Sequence, residues 1–458
     1  MEQLFEQIQD DTQAFWQNSA SGVRRLDKMP SPADFFRDYV ATSTPVVISG
    51  GASSFLKTSH GSWDDLPSLA GRGGSGNLEV TVDFTPNGRG DCVVEVPHGM
   101  LSGHSDDDVN GNDSSRGDAA GEVGVTKEES SGRGSSGKAV DAGGVGGVSE
   151  SPPPAAAPEV TLSTAGAGTT AVFVKPEERR MRFEAFIDML SAESGSGTPG
   201  GVNGGEGVPY LSHQNDSLRQ EFPGLMEDVE PFLALAGQAF GNEPDAVNLW
   251  IGDDRSLSAV HKDHYENMYC VVRGEKLFTL LPPSDVLFLY EQEYPSGRYR
   301  QRKDEKGERG EFEVQLERGT TVPWIPVDPA CPDLEKYPLF RYASPVQCRV
   351  GAGDVLYLPA LWYHRVSQKN VTIAVNYWHD MQFDHKYVYY RFLQTLAAKC
   401  RGGLLSPPSP LPPRGRGGAG SAEEGAPPAP SIGEAVAAVG ADDAGAEEDG
   451  PSSRPSVR

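Results

Sequence analysis

The stretch Ser258-Ala259-Val260-His261-Lys262-Asp263-His264-Tyr265-Glu266-Asn267 decides the reading of this chain. His261 and Asp263 stand two residues apart. On a strand, residues i and i+2 project to the same face. An imidazole and a carboxylate side by side make half of a metal site. The surrounding sequence is dense in strand signals. Residues 247–252 read as a strand. Residues 268–272, a turn at Arg273-Gly274 and residues 276–281 read as a hairpin closed by Pro282-Pro283. Residues 347–350, a turn over 351–353 and residues 355–358 read as a second hairpin, and 371–378 as a last strand. Short strands with turns at intervals of roughly 8–12 residues predict a sandwich or barrel, not an α/β sheet.

The missing part of the site must come from elsewhere. The best candidate is His364, in Gly353-Asp354-Val355-Leu356-Tyr357-Leu358-Pro359-Ala360-Leu361-Trp362-Tyr363-His364. A strand, a proline bend and a second strand would carry that histidine into the barrel. Two histidines and one carboxylate with open positions form the facial triad of non-haem Fe(II) oxygenases. The open positions suit a bidentate 2-oxo acid and O₂. Such a co-substrate needs a cation for its far carboxylate, and Lys276 on the next strand could reach it. A buried lysine without a partner is expensive. His264 is an alternative ligand, although on a regular strand it points away from Asp263. Tyr265 and Glu266 read as structural or substrate-facing. Trp250, Trp362 and Trp378 read as barrel filling, and Trp63 and Trp324 as packing.

Outward from this centre, composition marks three segments to set aside. The 458 residues include 54 Gly and 36 Pro. Segments 97–170, 193–207 and 401–458 concentrate Gly, Ser, Pro, Ala and acid, and none holds an aromatic residue. They cannot bury enough apolar surface to offset chain entropy, so they are expected to be two disordered insertions and a disordered tail. The fold is then expected in 1–96, as N-terminal helices and first strands, and in 171–400, as the barrel with a C-terminal helix. Residues 1–40 read as helical, with Ser31-Pro32 opening a helix on which Phe35, Phe36 and Tyr39 form one stripe. Residues 45–48, 78–83 and 92–96 read as strands. Phe183, Phe186, Ile187 and Leu190 lie at helical spacing.

The formal net charge is −25, and about half of it lies outside the three segments. A chain that repels phosphate is a poor candidate for nucleic-acid binding; a basic peptide fits better. Five widely spaced cysteines without a CxxC suggest neither a disulfide framework nor a zinc knuckle. There is no signal-peptide pattern and no run of apolar residues long enough for a membrane span. A reducing compartment, cytoplasm or nucleus, is expected.

Longer motifs add a resemblance. The run 261–267, followed by Val271-Val272-Arg273-Gly274-Glu275-Lys276 and Pro282-Pro283-Ser284-Asp285, resembles the JmjC, cupin-like oxygenases, and within them the (3S)-lysyl hydroxylase branch. Pro323-Trp324-Ile325-Pro326-Val327-Asp328-Pro329, Leu358-Pro359-Ala360-Leu361-Trp362-Tyr363-His364 and Ala374-Val375-Asn376-Tyr377-Trp378 match as well. The resemblance implies a mainly β fold with helical additions, built on a double-stranded β-helix. It implies Fe(II) held by His261, Asp263 and His364, with 2-oxoglutarate and O₂ as co-substrates. Lys276 and Tyr210 would hold the far carboxylate of 2-oxoglutarate. Asn267 and Asn376 would line its pocket beside Trp378. Ser258 stands where the family usually has threonine, keeping the hydroxyl. The implied reaction is hydroxylation of a lysine C3 in a GTP-binding protein of the developmentally regulated class. Lysine or arginine demethylation, a peptidase acting on basic histone tails, and a non-catalytic interaction protein are the alternatives. Residues 383–400 resemble helices through which such oxygenases form homodimers.

Overall fold

The computed structural model describes residues 2–16, 22–57, 63, 65–72, 78–102, 168–193, 207–303, 307 and 309–404. Its spine is a pair of long strands. Tyr265–Leu281 and Tyr363–Asp380 run antiparallel in register from Tyr265 opposite Asp380 to Leu281 opposite Tyr363. Val346–Gly351 and Val355–Leu358 pair with the first of them on its far edge. Ala246–Gly252 and Leu257–His261 pair with the second. With three short strands this makes a nine-stranded sheet. A five-stranded sheet (in order Cys92–Pro97, Thr169–Lys175, Gln292–Lys303, Arg309–Trp324, Leu101–Ser102) and a three-stranded sheet centred on Glu79–Thr85 complete the β structure. The fold is mainly β with helical additions, as the strand pattern predicts.

The two expected hairpins do not form. The chain runs straight through Arg273-Gly274, and the register with Tyr363–Asp380 shifts on either side of Arg273. Gly274 has φ +76°, and a Cβ there would lie 2.3 Å from Thr372 Oγ1. Only glycine fits. Likewise Val346–Gly351 and Val355–Leu358 follow one another along the same neighbour instead of folding back on each other. A glycine between apolar runs signals positive φ, and a bulge uses positive φ as well as a turn does. The bulge matters because it changes which residues face inward. Before it, Asn267 and Tyr269 look into the barrel; after it, Lys276 and Phe278 do.

Other elements follow their local chemistry. The helix Phe183–Glu193 buries Phe183, Phe186, Ile187 and Leu190, the residues its spacing marks. Ser31 caps Pro32–Phe35, its Oγ accepting from Asp34 N at 3.1 Å. The next turn widens into a π-helix, Phe36–Val40, which keeps Phe35 and Tyr39 on the core side. Phe36 is turned out and 46 % exposed, against the expected three-residue stripe. The insertion expected over 97–170 is narrower at both ends. Cys92–Pro97 pairs with Thr169–Lys175, and Leu101-Ser102 pairs with Val314-Gln315. Residues 103–167, 194–206 and 405–458 of the three set-aside segments lie outside the described residues.

The last described element is the helix His385–Leu404, close to the expected span of 383–400. One face packs Tyr387, Tyr390 and Leu393 against the barrel. The other leaves Val388, Tyr389 and Phe392 each more than 60 % exposed. Among the described residues, no helix is long and apolar enough to cross a membrane. Cys92, Cys270, Cys331 and Cys348 are all unpaired, the first two and the last buried.

Candidate metal centre

His261 closes the strand Leu257–His261 and lies directly opposite His364 on Tyr363–Asp380. Cross-strand partners face the same side of a sheet, so the two rings meet with centroids 4.2 Å apart. Asp263 is not on the strand, as the i, i+2 argument assumed; it sits in the turn that follows. That turn is held by backbone bonds, with Leu361 N donating to Asp263 O at 2.9 Å and Met381 N to His264 O at 3.3 Å. The bend Pro359-Ala360-Leu361-Trp362 brings the chain to His364. Leu361 adopts φ +67° there, an uncommon conformation for a bulky residue.

The three candidate ligands converge. His261 Nε2 lies 3.9 Å from Asp263 Oδ1, and His364 Nε2 lies 3.5 Å from Asp263 Oδ2. One ligand atom from each lies within 4.8 Å of the others. The second nitrogen of each ring is committed to a backbone carbonyl, His261 Nδ1 to Ala259 O at 2.7 Å and His364 Nδ1 to Trp362 O at 3.0 Å. A carbonyl accepts only, so each Nδ1 carries the proton and each Nε2 lone pair faces Asp263. Burial, reinforced by His261, pushes His364 down to about 4, which keeps it neutral. The donor set is thus two neutral imidazole lone pairs and a carboxylate, which fits a divalent iron. His264, the alternative, turns outward, stacked on Phe383 at 6.3 Å and edge-on to Tyr387 at 5.9 Å.

Behind this group lies a cleft of about 340 Å³. Tyr210, Ser258, Asn267, Asn376 and Trp378 all line it, together with His261, Asp263 and His364. Asn376 Nδ2 donates to Asn267 Oδ1 at 3.3 Å, and its orientation is fixed by Trp250 Nε1, which donates to Asn376 Oδ1 at 2.8 Å. Trp378 stacks on Tyr265 at 4.8 Å, and its buried indole N–H has no partner among the described residues.

Lys276, 1 % exposed, lies behind Tyr210, one of the residues that line this cleft. Its ammonium donates to Tyr210 Oη at 3.1 Å and to Gln368 Oε1. Both are neutral acceptors. Burial lowers its pKa to about 7. A charge so placed costs several kcal/mol in principle, and a carboxylate arriving beside it would offset that cost. Ser258 hydrogen-bonds the Tyr210 hydroxyl, extending the polar group.

Some lining residues escape a reading of the sequence. Gln368 faces Lys276 across the sheet. It lies four residues after His364, hence on the same face, and that parity was the available signal. Gln214, Tyr269, Phe278 and Val366 line the cleft. Trp324 lies nearly parallel to the His261 ring, 6.3 Å away, and touches Phe173. It packs beside the His261 ring without lining the cleft.

Comparison with known proteins agrees with this geometry. The family model described as the Cupin-like domain matches residues 32–385. The chain is 33 % identical over 81 % of its length to JmjC domain-containing protein E of Dictyostelium discoideum, covering 88 % of that protein. It is 32 % identical over 82 % of its length to the bifunctional peptidase and (3S)-lysyl hydroxylase JMJD7 of Homo sapiens, covering 89 % of it. A stretch covering 42 % of the chain is 48 % identical to lysine-specific demethylase JMJ32 of Arabidopsis thaliana, of which it spans 58 %. The chain therefore belongs to the cupin-like JmjC oxygenase family.

Proposed function

We propose that this protein is an Fe(II)- and 2-oxoglutarate-dependent protein hydroxylase that acts on C3 of a lysine side chain. One observation carries the oxygenase part. A single cleft is lined by three metal-ligating groups and by Tyr210, and a buried lysine with only neutral partners stands behind the Tyr210 hydroxyl. A divalent cation suits the ligating groups and a dicarboxylate spanning to the lysine suits both. When bound, iron and 2-oxoglutarate supply activation of O₂ coupled to oxidative decarboxylation, which inserts one oxygen atom into a C–H bond.

The chain's own residues then have definite tasks. His261, Asp263 and His364 hold the metal, with the ring protons kept on the far nitrogens by carbonyls. Lys276, Tyr210 and Ser258 hold the distal carboxylate of 2-oxoglutarate, and Gln368 keeps the ammonium in place when it is absent. Asn267 and Asn376 orient the co-substrate, with Trp378 as its wall. Tyr269, Phe278 and Val366 exclude water from the inner cleft.

The lysine assignment rests on the likeness to the human lysyl hydroxylase and on charge. Strand Arg89-Gly90 pairs with Leu257-Ser258, so Asp91 emerges beside the strand that ends in His261. Asp91 is partly buried at φ +49°, with no hydrogen bond or ion pair among the described residues. Such a carboxylate suits an incoming ammonium. The acid excess of the chain agrees with a basic protein partner. A GTP-binding protein of the developmentally regulated class is the substrate we propose. A second copy of the chain covers the exposed stripe Val388, Tyr389 and Phe392 in our reading, since a contiguous apolar stripe marks an interface. Unpaired cysteines suit the cytoplasm or nucleus.

Demethylation is the second reading, favoured by the 48 % identity to the plant demethylase. Incubation with Fe(II), 2-oxoglutarate and lysine or methyl-lysine peptides, followed by mass spectrometry, separates the cases. A gain of one oxygen on unmodified lysine is the expected result. Loss of a methyl group establishes demethylation, and a cut backbone establishes a peptidase. No change in any peptide, with no succinate formed, overturns the oxygenase reading.

A further inference from the structure

Two residues next to the candidate ligands point the other way. Lys262 lies between His261 and Asp263, and Tyr363 immediately precedes His364. In extended backbone, neighbouring side chains project to opposite sides. On that far side both meet one buried cluster. Lys262 Nζ pairs with Glu291 Oε1 at 2.9 Å, the two side chains only 15 % and 7 % exposed. The ammonium lies 5.5 Å from the centre of the Tyr363 ring and 5.9 Å from that of Tyr390. The Tyr363 and Tyr390 hydroxyls are 2.9 Å apart. Gln394 Nε2 donates to both Glu291 oxygens, at 3.2 and 3.1 Å. Tyr390 and Gln394 are one turn apart on the helix His385–Leu404.

We propose that this cluster is the device by which the C-terminal helix fixes both ligand-bearing segments relative to each other, making Lys262 and Tyr390 positioning residues of the metal centre. The inference rests on the reading of His261, Asp263 and His364 as metal ligands. Its physical basis is the choice of chemistry. If the cluster only docked the helix, apolar side chains of the same volume would serve as well or better, because a buried ion pair is weak evidence of stability. What such a pair adds is direction. The bond from Lys262 to Glu291, itself held through Gln394 of the helix, ties the segment 262–264 to one geometry, and the paired hydroxyls tie the start of Tyr363–Asp380 to the same helix. A metal site tolerates displacements of only about 0.5 Å. Groups behind the ligands therefore act on metal affinity, typically by about 10–100-fold.

The test uses the full chain, Mn(II) as the probe and calorimetric titration as the readout, beside thermal unfolding. Tyr390→Phe removes one hydroxyl. Lys262→Met combined with Glu291→Met removes both charges together and leaves neither stranded. Leu190→Ala, in the remote helix Phe183–Glu193, is the control for general destabilisation. The expected result is Mn(II) affinity lowered about 10-fold or more in the first two variants, with cooperative unfolding retained, and unaltered affinity in the control despite its lower midpoint. Affinities of both cluster variants within twofold of the parent overturn the proposal, as does an equal loss in the control. Wild-type and Asp263→Ala proteins binding Mn(II) equally would remove the ligand reading and this inference together.

Discussion

The two ends of the cleft are opposites in charge and in construction. At the outer end two segments of chain supply acceptors only, two imidazole lone pairs and a carboxylate, with side-chain exposures from 6 to 18 %. At the inner end one strand supplies a single cation, fully enclosed, with neutral partners. The outer end lacks a positive charge and the inner end lacks a negative one. Neither is a good solution for stability alone, since buried polar groups prefer matched partners. The difference is the one expected of a cleft that takes a cation at one end and an anion at the other. It also lets stability and binding be separated by substitution, because each end loses its function without losing its packing.

The strongest challenge falls on the outer end. Asp263→Ala is expected to abolish succinate formation by about 10³-fold or more, as loss of an essential group does. The fold should persist, because Asp263 is tied down through its backbone oxygen and not its side chain. A shift in melting midpoint of more than about 2–4 °C, roughly 1 kcal/mol or more in a domain of this size class, would mean that the carboxylate is structural. At the inner end Lys276→Met should raise the KM for 2-oxoglutarate by about 10–100-fold, the worth of a charge-assisted hydrogen bond. The same change should raise the melting midpoint of the ligand-free protein, because an enclosed charge is replaced by a side chain of similar length. An unchanged KM together with a lowered midpoint would show that Tyr210 and Gln368 already satisfy the ammonium.

A pH series sharpens the contrast. Lys276 has its folded pKa lowered by burial to about 7, against an ordinary 10.5. Between these values the unfolded chain binds more protons than the folded one, so this group's contribution to stability rises with pH across that window. The midpoint advantage of Lys276→Met should therefore shrink as pH goes from 7 to 10. A bound carboxylate holds Lys276 protonated, so 2-oxoglutarate binding above pH 7 should take up a proton and weaken with rising pH. Calorimetry in buffers of different ionisation enthalpy reads that uptake directly. Asp83 and Asp285, both raised to about 7 by burial, act below this window, where their stabilisation falls as pH rises.

Much of the outer end was legible in the sequence, and less of the inner end. His261, Asp263 and His364 follow from spacing and ligand chemistry, even though Asp263 reaches the site through a turn and not along a strand. Lys276 comes to lie beside Tyr210, but by a different path from the one its sequence suggests. Arg273-Gly274 reads equally as a hairpin turn or a bulge, and only the pairing partner Tyr363–Asp380 decides between them. Gln368 becomes visible once that register is known, because it lies opposite Lys276. The cluster behind Lys262 depends on where a helix more than a hundred residues later comes to rest, which no local pattern encodes. Phe36 was misplaced because a π-turn moves it out of the stripe that α-helical spacing assigns.

The smallest expected effect concerns what enters from outside. Asp91 flanks the outer end, and two influences oppose each other on its carboxyl. Burial raises its pKa, while His261, Arg298 and Lys175 pull it back. If its partner is the ammonium of a substrate lysine, Asp91→Asn keeps the shape and removes the charge. The KM for the peptide should then rise about 10-fold, the lower range for a charge-assisted contact, while the KM for 2-oxoglutarate stays the same. Turnover of 2-oxoglutarate without peptide should change far less, since Asp91 acts on His261 only through its charge. A rise in both KM values would place Asp91 in the support of His261 instead. A change in neither would move lysine recognition to another acidic group, and the asymmetry of the cleft would then extend only to its two small ligands and not to the protein substrate.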